Sequence, residues 1–182
     1  HGVPGAFMSL LNISFMNEAI NEKKIRTPNK IFDYVRKRLI QNISQDGGRD
    51  GMDGILLCIE HSKKKITYAA AHNKPVLIRD GQIIEMSCDK MPVGQGERKD
   101  DFGLHEIDAQ KGDMLYLYTD GYADQFGGPK GKKFKYKQLN ELLISICHLP
   151  VNEQHQILYA DFSNWKGHLE QVDDICIIGI RL

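Results

Sequence analysis

The sequence predicts an α+β domain in which helices pack outside a core of antiparallel strands. Three patterns predict it. Two amphipathic helical stretches stand in tandem at the start, short strand-like runs punctuated by turn residues fill the middle, and two more helical stretches precede a closing apolar strand. Strands and helices are grouped rather than strictly alternating, which argues against a doubly wound parallel sheet. With 182 residues the chain has the length of one domain, able to bury roughly 70% of the surface that its unfolded form exposes.

Over residues 4–21, Phe7, Leu10, Leu11, Ser14, Phe15, Glu18 and Ala19 recur at three and four, the spacing of one helical face, with Pro4 in the first turn where its missing N–H costs little. Thr27 and Pro28 read as an N-cap and first helical residue, and Ile31, Val35, Leu39 and Ile43 follow at fours on a second helix. Glycines and aspartates crowd residues 45–54, which predicts a loop. Residues 55–60, 66–71, 75–79 and 82–86 predict an antiparallel meander whose last turn, Asp80-Gly81, is of type I′. A polar loop over 88–101 leads to strands at 102–107 and 113–119. After a glycine-rich basic segment, 127–133, helices are predicted at 136–147 and 151–165, split by Pro150, with the last strand at 175–180.

Lys plus Arg and Asp plus Glu both number 24, so no overall charge draws the chain to nucleic acid or to an anionic membrane, and nucleic acid is not an expected partner. Its apolar runs are far shorter than the ~20 residues of a membrane span, and no signal segment opens it, which predicts a cytoplasmic protein. Cys58, Cys88, Cys147 and Cys176 are scattered without a CxxC pair. Cys58 and Cys176, inside apolar runs, are expected to be buried free thiols.

Two carboxylate positions stand out. Asp120 ends a strand in Tyr118-Thr119-Asp120-Gly121, and Asp173-Asp174 precedes another. Strand ends let side chains of a rigid sheet converge, and carboxylate oxygens suit hard divalent cations. Taken alone, Asp-Gly is a common turn and Asp-Asp a solvated strand end. Their company is more specific. His1-Gly2-Val3-Pro4-Gly5-Ala6-Phe7-Met8, Ala71-His72-Asn73, Pro92-Val93-Gly94, Gly112-Asp113, Tyr118-Thr119-Asp120-Gly121 and Asp173-Asp174-Ile175 occur in this order. Across the whole chain they resemble the landmarks of SpoIIE/RsbU-type serine/threonine phosphatases of the PPM (type 2C) superfamily.

The resemblance implies a PPM-like αββα sandwich of two antiparallel sheets flanked by helix pairs, with two Mn²⁺ or Mg²⁺ ions at one edge activating a water that attacks phosphoserine or phosphothreonine. It makes Asp120 and Asp173 metal ligands and catalytic residues. Gly121, Asp174 and Asp53 become residues supporting the ligands from behind, and His1 and Gly2 lie at the site entrance. For His72-Asn73 a structural turn is favoured over substrate contact. The lysines at 130, 132, 133, 135 and 137 are either a solvated face or a lure for a phosphorylated partner.

The family's site should open with Gly-Asp-x-x-Gly-His-Gly, whose Asp bridges both ions, yet this chain starts at the His. It is therefore expected to be the C-terminal part (1–182) of a single SpoIIE-type domain lacking the N-terminal strands, the output domain of a longer sensor protein. Its metal site is then incomplete or empty and its activity weak or absent. The implied partner is a phosphorylated regulatory protein resembling an anti-sigma antagonist, and the first two helices are a candidate homodimer surface. A non-catalytic pseudophosphatase or protein-binding module, and a phosphatase of nucleotides or sugar phosphates, are the rival readings.

Overall fold

In the computed structural model, residues 2–43, 51–60, 65–98 and 100–182 are described. In chain order the elements are α1 (Gly2–Asn17), a π-helical turn (Glu18–Glu22), α2 (Pro28–Ile43), β1 (Gly51–Met52), β2 (Gly54–Glu60), β3 (Lys65–Ala71), β4 (Val76–Arg79), β5 (Gln82–Ile84), β6 (Val93–Gly94), β7 (His105–Ile107), β8 (Met114–Tyr118), α3 (Gly121–Asp124), β9 (Phe126–Gly127), β10 (Lys132–Lys133), α4 (Tyr136–Ile146), α5 (Val151–Lys166) and β11 (Ile177–Arg181). They form two compact units, His1–Lys74 with Ser87–Asp108, and Pro75–Met86 with Ala109–Leu182. Among the described residues no helix is long and apolar enough to cross a membrane.

In the first unit, β3 is the centre of a three-stranded antiparallel sheet, between β2 and β7. Residues 66–71 are all buried, so the small side chains of Ala69, Ala70 and Ala71 sit where both faces of a strand are covered. The helix-spaced residues Ile31, Phe32, Val35 and Leu39 of α2 pack with Phe15 and Ala19 into the core. Part of the expected α1 stripe does not join them. Phe7 and Leu10, read as one face with Phe15, are 58% and 67% exposed, as is Ile13 at 59%. Helical spacing marks a face but does not say over how much of its length a neighbour covers it. Glu18, on that same stripe, instead accepts hydrogen bonds from the Tyr34 hydroxyl (2.6 Å) and Arg38 (3.1 Å), and the Tyr34 bond chiefly holds its carboxyl below the usual range.

The predicted meander is broken in two. β3 does not pair with β4, which belongs to the second unit. The chain leaves β3 through His72, whose φ of +57° no strand residue adopts, while its N–H donates to the Asp89 carbonyl. The glycine-rich loop expected over 45–54 is also partly corrected: Gly51–Met52 pairs with Val93–Gly94, and residues 45–50 lie outside the described ones. Asp80 and Gly81 have φ of +49° and +72°, as a type I′ turn requires.

In the second unit the strand order is β11-β8-β4-β5, all antiparallel. Tyr116, Tyr122, Phe134, Leu139, Leu143, Leu158 and Phe162 build its core with Val76, Ile78 and Met114. Buried polar groups tie the layers: the Tyr116 hydroxyl donates to Gln154 (2.7 Å), whose amide donates to the Leu149 carbonyl (2.8 Å). Cys176 is exposed rather than buried: it immediately precedes the outer strand β11, whose neighbour among the described residues is β8 alone; Cys58 is half-buried.

Asp113, only 1% exposed, anchors the turn into β8. It accepts two hydrogen bonds from Arg79 (2.9 and 2.8 Å) and one from the Gln110 N–H (2.8 Å). The Arg79 guanidinium holds its carboxyl below the ordinary 3.8 against the opposing effect of burial. A carboxyl depressed in the folded state stabilises above its unfolded pKa, and that stabilisation is lost as pH falls through the folded value. Asp113→Asn is expected to cost about 3 kcal/mol at neutral pH, since it removes the charge from a buried carboxylate held by a two-bond guanidinium contact. The gap in melting temperature between the two proteins, followed by circular dichroism, should be flat above about pH 5 and close as the pH drops below about 4.

Candidate active site

Antiparallel pairing of β8 and β11 sets Tyr118 opposite Ile177. The chain leaving β8 at Thr119-Asp120 and the chain entering β11 from Asp173-Asp174 therefore lie at the same end of one strand pair. Backbone and side chain then join them. The Thr119 N–H donates to the Cys176 carbonyl (3.0 Å); the Thr119 hydroxyl accepts from the Cys176 N–H (3.0 Å) and donates to the Asp174 carbonyl (3.2 Å). This one hydroxyl satisfies a donor and an acceptor that the ladder leaves open.

Asp120 occupies the cap position of α3 in right-handed helical conformation (φ −72°, ψ −18°), and its carbonyl accepts from the Asp124 N–H (2.9 Å). Its carboxylate makes no capping hydrogen bond and is exposed. Asp173 is half-buried, with Oδ1 accepting from the Asp174 N–H (2.7 Å) while its own carbonyl accepts from Gln171 (2.8 Å). Asp174 is exposed. Gly121 is buried against the Asp174 carbonyl oxygen, so close that a Cβ would overlap it.

Of the remaining predicted residues, Asp53 belongs to the first unit, where its carboxylate pairs with His72 Nδ1 (2.8 Å) and supports the turn at His72-Asn73. Gly2 begins α1, also in the first unit, and His1 lies outside the described residues. Lys133 is bound to Asp124 (2.9 Å) and lies over the Phe126 ring, yet is exposed, as are Lys130, Lys132, Lys135 and Lys137.

Sequence reasoning missed two participants. The Thr119 hydroxyl was legible only as part of the Tyr118-Thr119-Asp120-Gly121 string. Gln125, fully buried just after α3, carried no signal at all. A third detail concerns Gly127 and Gly128, which lie against Trp165: a Cβ on Gly127 would overlap the Trp165 carbonyl, and one on Gly128 would press into the indole at 2.6 Å. Trp165 Nε1 in turn donates to the Gln125 carbonyl (3.1 Å).

A cavity of about 560 Å³ in the same unit lies under α5, lined by Tyr116, Tyr122, Leu158, Phe162 and Ile177 among others, and takes in none of the three carboxylates. Nor do any three His, Cys, Asp or Glu side chains among the described residues form a ready cation cage. What the Asp120 and Asp173 turns offer is hard carboxylate oxygen, the donor type suited to Mg²⁺ or Mn²⁺, and Mg²⁺ is commonly held by one or two carboxylates while keeping several waters. The donor set fits such an ion.

The chain is 27% identical to the SiaA-PP2C domain of Pseudomonas aeruginosa, with a TM-score of 0.88 over 100% of this chain and 72% of that one. The RsbU and RsbW domains of Rv1364c from Mycobacterium tuberculosis (17% identity, TM-score 0.75) and the PP2C phosphatase domain with part of the regulatory domain of SpoIIE from Bacillus subtilis (18%, TM-score 0.72) also match over 100% of this chain. It spans 48% and 51% of those two chains. The fold is that of PPM phosphatases, mixing helices with antiparallel sheets. The family model described as Stage II sporulation protein E (SpoIIE) matches residues 1–182, and the chain belongs to that family, by which it is a protein serine/threonine phosphatase. No curated protein matches it.

Gly121→Ala is expected to cost about 1–3 kcal/mol, because its methyl must displace the Asp174 backbone. Gly5→Ala, where the added Cβ meets nothing within 4 Å in α1, is expected to be neutral or to stabilise by up to about 1 kcal/mol. Urea denaturation of the two variants checks the contrast.

Proposed function

We propose that the full-length protein to which this chain contributes hydrolyses phosphoserine or phosphothreonine on a regulatory protein, with Asp120 and Asp173 among the carboxylates that hold Mn²⁺ or Mg²⁺, and that residues 1–182 alone have weak activity or none. The observation that carries the reading is the joining of the Asp120 and Asp173 turns at one end of the β8–β11 pair. A divalent cation bound there would lower the pKa of a water and offset charge on the phosphoryl oxygens. The chain's own part is orientation. The Thr119 hydroxyl and Gly121 hold the two turns together, Asp173 is steadied by the Asp174 N–H, and the exposed Asp120 carboxylate is left available.

A phosphorylated protein, resembling an anti-sigma antagonist in the cytoplasm, is the proposed substrate, and the exposed Lys130, Lys132 and Lys135 on the same unit would favour its approach. We propose the whole chain as the output part of a longer signalling protein. The face that α1 leaves uncovered, Phe7, Leu10 and Ile13, is the proposed homodimer contact.

Asp120→Asn and Asp173→Asn, in the full-length protein, should each lower Mn²⁺-dependent release of phosphate from a phosphoserine peptide on the order of a hundredfold without changing the circular dichroism spectrum. Unchanged rates would remove Asp120 and Asp173 from the chemistry, no release by the wild type would leave the protein-binding reading, and faster turnover of nucleotides or sugar phosphates would move the substrate to a small molecule. In sedimentation the wild type is expected as a dimer and Leu10→Lys as a monomer; a dimer from both would remove α1 from the contact.

A further inference from the structure

Gln125 is fully buried, a costly place for a carboxamide unless every polar atom is paired. Every one is. Nε2 donates to the Phe126 carbonyl (3.0 Å) and the Glu170 carbonyl (2.9 Å), and Oε1 accepts from the Val172 N–H (3.1 Å). Its backbone carbonyl accepts from both the Phe134 N–H (3.0 Å) and Trp165 Nε1 (3.1 Å). One residue thus ties the end of α3 to the β9–β10 hairpin, to the last turn of α5 and to the loop 170–172. An apolar side chain would fill the same space; only a carboxamide offers two donors and an acceptor toward a loop that has no ladder of its own.

Location gives this clamp its meaning. Gln125 follows α3, which starts next to Asp120, and the loop it grips ends immediately before Asp173. The Thr119 hydroxyl and Gly121 join the two turns from the strand side. The carboxamide joins them from the opposite side of the Asp173-Asp174 step in sequence. Asp173 is therefore bracketed by a bond to residue 172 before it and by bonds to residues 174 and 176 after it. We propose that Gln125 is a positioning residue: it fixes loop 170–172 so that the Asp173 carboxylate is held in register with Asp120 for cation binding. This rests on the reading of Asp120 and Asp173 given above.

The test uses the full-length protein, with Mn²⁺ alone as probe, its free concentration read from the electron paramagnetic resonance signal, and hydrogen exchange of the 170–174 amides followed in parallel. Gln125→Met keeps the volume and removes all three side-chain bonds. Loss of a group that orients a metal ligand weakens the metal typically 10–100-fold, so about tenfold weaker Mn²⁺ binding is expected, with faster exchange at 170–174. At saturating Mn²⁺ the KM for a phosphoserine peptide should stay near wild type while the Mn²⁺ concentration for half-maximal rate rises. Gln125→Asn, which keeps the carboxamide but shortens its reach, serves if the Met variant does not fold, and the same changes are expected of it. A lowered melting temperature with wild-type Mn²⁺ affinity and wild-type exchange at 170–174 would overturn the proposal. Asp173→Asn separates the two levels: if it leaves Mn²⁺ affinity intact the site reading itself fails, whereas if it abolishes binding and Gln125→Met does not, only the positioning role falls.

Discussion

The candidate site depends on the register between β8 and β11. These strands are 59 residues apart at the Tyr118–Ile177 pair (177 minus 118), and nothing local in either dictates how they align. Alternation does so: sliding one strand by a single residue would turn every side chain of β11 to the opposite face. The same slip would carry the Cys176 N–H away from the Thr119 hydroxyl and the Asp174 carbonyl away from Gly121, so the approach of the two acidic turns is a direct product of strand pairing. Each bond here contributes modestly, about 1 kcal/mol. Together with the close approach that only glycine permits, they leave the turns a single arrangement.

Much of the fold was legible where a periodic pattern met a local cap or turn. α2 begins at Pro28 and buries Ile31, Val35 and Leu39, as their spacing indicated, and Asp80-Gly81 makes the tight turn that the dipeptide suggested. What was not legible is long-range. Short strands of similar pattern, such as β3 and β4, carry no mark of which sheet they join, and the chain leaves β3 at His72 through a left-handed backbone angle, with Asp53 on its ring and the Asp89 carbonyl on its N–H. The exposure of Phe7 and Leu10 was hidden for a related reason: periodicity reports that a residue is apolar, and coverage is set by a partner elsewhere in the chain.

The site divides the same way. Asp120 and Asp173 stood out because acidic residues at strand ends are chemically conspicuous and because the ordered string of motifs resembles one family, to which the chain belongs. Thr119 and Gln125 are ordinary residue types whose importance comes from what they touch. Gly112-Asp113, one of the motifs of that string, has a structural reason here: Gly112 takes φ of +97°, its N–H donates to the Leu182 carbonyl, and Asp113 locks Arg79 of β4 beside the start of β8. That pair anchors the strand whose far end carries Asp120.

The meeting of Gly127, Gly128 and Trp165 restricts how this sequence can diverge. At 128 the obstacle is an indole and a φ of +66°, so a smaller residue at 165 could admit asparagine there. At 127 the obstacle is the main-chain oxygen of residue 165, which every amino acid possesses. Evolutionary drift can thus renegotiate one glycine through its neighbour, while the other stays immutable for as long as α5 ends where it does.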